Sequence, residues 1–145
     1  MRIALVDDEP LARMRIRALV GQTGEMAEVA AEFGEPVTAL MWLQEQDDRG
    51  EPVDLVLLDI QMPGLDGMTL AARLRSLRQP PAVVFVTAHA EHALRAFDLA
   101  AVDYLTKPVR LDRLTASLQR VRALRPPMVP REAEALADSE VFVVQ

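Results

Sequence analysis

Five short apolar runs, each followed by a segment with helical spacing, dictate what this chain can become. They are RIALV (2–6), EMAEVAAEF (25–33), VDLVLL (53–58), AVVFV (82–86) and VDYLT (102–106). Strands buried on both faces read as nearly unbroken apolar stretches, and helices between them supply the crossovers of a parallel sheet. The alternation predicts an α/β fold, a doubly wound five-stranded parallel sheet with helices on both faces and right-handed crossovers. The first helix is expected over 10–20, started by Pro10, with Leu11, Met14, Ala18 and Leu19 inward and Arg13 and Arg17 outward. Further helices are expected over 36–47, 68–77, 91–100 and 110–124. The last shows an apolar stripe of Leu111, Leu114, Leu118, Val121 and Leu124. The cluster MPGLDG (62–67) reads as a turn.

Composition narrows the function classes. At 145 residues, half of them hydrophobic, the chain can bury a real core. A net charge of −6 argues against a nucleic-acid surface on this segment. The chain has no cysteine, which excludes disulfides and thiolate metal sites. No run approaches the roughly 20 apolar residues of a membrane span, and MRIALVDDE is too short and too acidic to be a signal peptide. A cytoplasmic protein without membrane association is the expectation.

The residues that end the apolar runs carry the chemistry. Asp7 and Asp8 follow the first run, Asp59 the third, Thr87 the fourth and Lys107 the fifth. Parallel strands open their carboxyl ends on one edge, where ligands bind at the switch in strand order. Three converging carboxylates repel one another and require a cation. A hard divalent ion with oxygen ligands, Mg²⁺, suits that donor set. A single Asp there would read as a helix cap, but a pair with a third at another strand end does not. Lys107, the only lysine among 16 basic residues, supplies a point charge, and Thr87 a hydroxyl donor. Taken alone, Thr87 reads equally as a β-branched strand end and Lys107 as a solvated loop residue. Together the parts describe a carboxylate that accepts a phosphoryl group: Asp59 as nucleophile, with Mg²⁺, Lys107 and Thr87 spreading the charge on the transferred oxygens.

The segments LVDDEP, DLVLLDIQMPGLDG, VFVTAHA and YLTKPV, in this order, resemble the receiver domain of two-component response regulators over residues 1–125. The resemblance implies a flavodoxin-like sheet of order 2-1-3-4-5, and a phosphoryl group passed to Asp59 from a phosphohistidine on a sensor histidine kinase. It implies that Asp7 and Asp8 hold Mg²⁺ together with Asp59 and the backbone carbonyl of Gln61. It also implies a switch in which Thr87 moves toward the phosphoryl group and Tyr104 turns inward behind it. The readout surface would be the fourth helix, fifth strand and fifth helix, including Phe97, Asp98, Asp103, Arg110 and Arg113. Opposite charges on that face suit a homodimer. Gln61 and His89 would flank the path of the hydrolytic water, and His92 would be a surface residue.

The segments LVDDEPLAR and LTKPVRLDRL resemble LytTR-type regulators, which carry a C-terminal DNA-binding domain. Residues 126–138, with PPMVP at their start, are expected as a linker, and residues 139–145, ending in VFVVQ, as the first strand of such a domain, through which alone DNA would be bound. Two rivals stand beside this. A stand-alone receiver would act by docking or as a phosphate sink. A phosphohydrolase of the haloacid dehalogenase type would need two Asp residues spaced two apart after the first strand, where this chain has adjacent Asp7 and Asp8.

Overall fold

The apolar runs pair into one parallel sheet. In the computed structural model, which describes residues 1–88 and 100–124, β1 (Arg2–Val6), β2 (Glu28–Phe33), β3 (Leu55–Leu58), β4 (Ala82–Thr87) and β5 (Asp103–Thr106) lie in the order β2-β1-β3-β4-β5. The helices are α1 (Pro10–Gln22), α2 (Pro36–Asp48), α3 (Gly67–Leu74) and α4 (Leu111–Leu124), the last being the fifth helix of the sequence reading. Most of the helix expected over 91–100, with His89, His92, Phe97 and Asp98, lies outside the described residues, as do the linker and the terminal VFVVQ.

Side chains alternate across the strands, so each strand feeds two cores. On one face Ala4, Val6, Val56, Leu58 and Phe85 meet α2 and α3 through Leu40, Leu43, Leu70 and Leu74. On the other, Ile3, Leu5, Leu55, Leu57, Val84 and Leu105 meet α1 and α4 through Ile16, Leu19, Leu114 and Leu118. The three central strands are buried along almost their whole length, as their unbroken apolar sequences require. β2 is an edge strand, half-buried, with a register shift opposite Ile3 and Ala4 that leaves Ala30 unpaired.

Several expectations shift. β2 begins at Glu28 rather than 25, and Met26 is exposed. α3 ends at Leu74, three residues early, where Ser76 and Leu77 turn back onto Arg73 and Leu74. The inward face of α1 is also different. Ile16, Leu19 and Val20 are buried, while Leu11 and Met14 are exposed and Ala18 lies at the surface. Two apolar stripes fit the sequence of this helix, and packing against β1 and α4 selects the one centred on Ile16. In α4 the stripe is confirmed at Leu114, Leu118 and Val121, whereas Leu124 is exposed and Leu111 partly so.

This burial pattern sets a contrast in stability. Leu118→Ala, fully enclosed, should cost about 2–5 kcal/mol in urea unfolding. Met14→Ala should stay within about 0.5 kcal/mol. A large loss at Met14 would reinstate the other face of α1.

Candidate functional site

The sheet's own hydrogen-bond ladder delivers the chemical residues to one edge. Val6 is level with both Phe33 and Leu58, and Leu58 with Phe85. The β1·β2, β1·β3 and β4·β5 ladders each gain one more rung. The backbone N–H of Asp7 donates to Phe33 O at 3.0 Å, that of Asp59 to Val6 O at 2.9 Å, and that of Lys107 to Thr87 O at 2.8 Å. Three site residues are therefore held by the sheet itself and not by flexible loops.

Asp7, Asp59 and Thr87 are buried, whereas Asp8 is exposed. The Lys107 ammonium lies 2.8 Å from Asp7 Oδ2, 3.2 Å from Asp59 Oδ2 and 3.2 Å from Glu9 Oε1. Lys107 precedes Pro108 through a cis peptide bond. Asp7 does not cap α1. Its Oδ1 accepts the backbone N–H of Glu9 at 2.9 Å, and the residue at the cap position, Glu9, makes no side-chain cap bond. Opposite Phe85 on β5 stands Tyr104, half-buried and packed on the α2–α3 core.

Burial raises the Asp59 carboxyl above its ordinary value of 3.8, and the charge of Asp7 adds to this; Lys107 and the Ile60 backbone pull it partly back. Burial alone would lower the Lys107 ammonium. The hydrogen bond to Asp7, the charges of Asp59 and Asp7 and the hydrogen bond to Glu9 outweigh it and hold the ammonium above the usual lysine value. One cation thus serves several acids, and ionised Asp59 remains incompletely compensated.

Asp7, Asp8, Glu9 and Asp59 can each offer a carboxylate oxygen such that all four lie within 4.8 Å of one another. An all-oxygen, multiply anionic donor set matches Mg²⁺, which binds through a few carboxylates and retains waters. These residues fit the ion the sequence pointed to. Gln61 lies just beyond Asp59 on the exposed rim.

Gly67 sets how closely α3 can approach the site. Its N–H donates to Ile60 O at 2.8 Å. A Cβ there would stand 2.0 Å from Asp59 O and 2.8 Å from Ile60 Cα, so no larger residue fits without moving the Asp59 backbone. Asp66 caps α3 by accepting the Thr69 N–H.

Two contributors escaped the sequence reading. Glu9 joins the acidic group and pairs with Lys107; the third acid in DDE was the available signal. Arg13, expected on the outer face of α1, donates from Nη1 to Asp7 O at 2.6 Å and pairs with Glu32 through Nε at 3.4 Å. Asp103, expected on the readout face of the fifth strand and fifth helix, is partly buried and engaged within that face. Its carboxylate accepts from Ser117 Oγ of α4 and the Tyr104 N–H, and Arg120 lies 3.6 Å away. Arg110, paired with Asp112, and Arg113 are exposed as expected.

A doubly wound sheet carrying a buried acid beside a lysine at its carboxyl edge defines the class: an α/β domain with its candidate site at the strand ends. Residues 3–119 match the response regulator receiver domain. The chain is 49% identical over 122 residues to the positive alginate biosynthesis regulatory protein of Pseudomonas aeruginosa, covering 83% of this chain and 46% of that protein. It is 33% identical over 127 residues to the transcriptional regulatory protein LytR of Staphylococcus aureus, covering 86% and 48%. The crystal structure of the response regulatory domain of protein mrkE from Klebsiella pneumoniae superposes with a TM-score of 0.76 at 34% identity, covering 86% of this chain and 97% of that one. The chain belongs to the response regulator receiver family of two-component systems. It spans about half the length of the curated relatives it matches.

Two outcomes follow from this geometry. With its carboxyl raised in the fold, Asp59 contributes stability that is fully present below about pH 3.8 and is lost progressively as pH rises through the raised value. At pH 7 without divalent ions, Asp59→Asn should therefore raise the thermal midpoint by a few degrees, measured by circular dichroism in chelator; a lower midpoint contradicts the charge balance described. Gly67→Ala should lower the midpoint and weaken Mg²⁺ binding together, since α3 and Asp59 must separate to admit the methyl group.

Proposed function

We propose that Asp59 accepts a phosphoryl group from a phosphohistidine of a sensor histidine kinase, and that the phosphorylated domain controls a C-terminal transcriptional output domain. The observation that carries this reading is the buried Asp59 carboxylate, 3.2 Å from the Lys107 ammonium and grouped with three further acids at the sheet edge. A carboxylate is ionised at neutral pH and needs no general base to act as nucleophile. An Asp59 oxygen forms the new bond to phosphorus as the bond to the donor nitrogen breaks, and the imidazole leaves with that electron pair. Asp7, Asp8 and Asp59, with the Gln61 carbonyl, would hold Mg²⁺, which neutralises phosphoryl charge when bound. Lys107 donates to a phosphoryl oxygen, and Thr87, at the neighbouring strand end, supplies a hydroxyl to another.

Thr87 and Tyr104 form the switch in this reading. Both lie on β4 and β5, where Phe85 pairs with Tyr104 and Thr87 with Thr106. A shift of Thr87 toward phosphate opens space that Tyr104 can fill. The changed surface of β5 and α4 then pairs with a second copy, with Arg110 and Arg113 as its outward charges. The relatives named as transcriptional or biosynthesis regulators support a regulatory output. In this reading it is of the LytTR type, with residues 1–125 as receiver, 126–138 as linker and 139–145 opening the DNA-binding unit.

Acetyl phosphate with Mg²⁺ should add one phosphoryl group to Asp59, read by intact mass, and Asp59→Asn should abolish it. Trp42 offers a second readout. Its ring sits 5.4 Å from Phe33, whose carbonyl accepts the Asp7 N–H, so occupancy of the acidic edge should alter its fluorescence. Undiminished labelling of Asp59→Asn would sink the assignment.

A further inference from the structure

An ammonium group has three N–H donors and no more. In this structure all three of Lys107 have acceptors: Asp7, Asp59 and Glu9. The lysine is saturated before any phosphoryl group arrives. Phosphorylation replaces the single charge of the Asp59 carboxylate by close to two on the phosphoryl group, a gain of about one, and brings three strong acceptor oxygens. For Lys107 to serve one of them, an existing contact has to be given up.

The three contacts are not equally replaceable. The Asp7 and Asp59 side chains are 9% and 6% exposed, whereas Glu9 is 66% exposed. Once one Asp59 oxygen is bonded to phosphorus, the other remains a buried acceptor beside the buried Asp7 carboxylate; either one stripped of its donor bears the cost of desolvation, while an exposed carboxylate is rehydrated at once. Asp7 is also tied to the Glu9 N–H and, by its backbone, to Phe33 and Arg13, so it cannot withdraw. Glu9 starts α1 with its side chain free of any cap bond.

We infer that Glu9 is a latch on Lys107: it holds the ammonium in the resting domain and is the contact released when Lys107 turns to a phosphoryl group on Asp59. Glu9 is a positioning residue that competes with phosphate for the lysine and so lowers the affinity of the site for a phosphoryl group. The inference rests on Asp59 being the phosphoacceptor. One exchange of hydrogen-bond acceptor is involved, with no covalent change beyond the phosphorylation.

Beryllofluoride, a phosphoryl mimic, tests this at saturating Mg²⁺, with binding followed by Trp42 fluorescence in the same chain. Exposed ion pairs set the scale, so Glu9→Ala should tighten beryllofluoride binding by about two- to fivefold. Glu9→Asp separates a latch from a through-space charge. It keeps the charge but draws the carboxylate back from Lys107, and it should tighten binding as Glu9→Ala does. If Glu9→Asp matches the parent protein while Glu9→Gln matches Glu9→Ala, charge alone acts and the latch is wrong. Mg²⁺ titration without beryllofluoride gives a further readout: a small change in Glu9→Ala is expected, and near-complete loss of binding would make Glu9 a metal ligand instead. Asp59→Asn is the control for the underlying reading. If the parent binds beryllofluoride no better than Asp59→Asn, the phosphoacceptor assignment fails. If the parent binds through Asp59 and the Glu9 variants are unchanged, the latch alone fails.

Discussion

The Lys107 ammonium is the charge on which the carboxyl edge of this sheet depends. Two buried carboxylates, Asp7 and Asp59, sit at adjacent strand ends. Such a pair is costly without a partner, because burial weakens hydration and strengthens their repulsion. Lys107 crosses from the far side of β4 to meet both. The compensation is partial: Asp59 remains raised while Lys107 is held firmly protonated. An acid left in that condition gains from a further cation and from chemistry that draws on its negative charge.

Precision at this edge comes from the backbone. The extra ladder rungs at Asp7, Asp59 and Lys107 make the site a continuation of the sheet, and Arg13 ties the Asp7 carbonyl to α1 and, through Glu32, to β2. Gly67 lets α3 close directly against the Asp59 peptide. Sites built on regular elements hold their geometry better than sites on loops. The two cores on either face keep the central strands from sliding, and with them the register that makes the acids level.

The same architecture carries a route away from the site. Lys107 follows β5 directly, Tyr104 lies in that strand, and Asp103 joins it to α4 through Ser117. A change at Asp59 that alters Lys107 or Thr87 therefore acts on a strand already coupled to a helix. Asp103 also lies 3.6 Å from Arg120 of the same helix.

Sequence alone pointed to the layers and to the candidate site. Short apolar runs alternating with helical segments read as buried parallel strands, and the acids, hydroxyl and lysine that end them then gather where those strands open. Asp7, Asp8, Asp59, Thr87 and Lys107 were legible for that reason, and the strand order came with the family resemblance. What tertiary structure decided is which of two apolar stripes α1 buries, and so that Ile16 turns inward, Leu11 and Met14 outward, and Arg13 toward Asp7. It also decided that Glu9 shares Lys107 with the buried acids. Local periodicity cannot choose between two plausible faces of one helix. That choice belongs to the surfaces it packs against, which are brought together from distant parts of the chain.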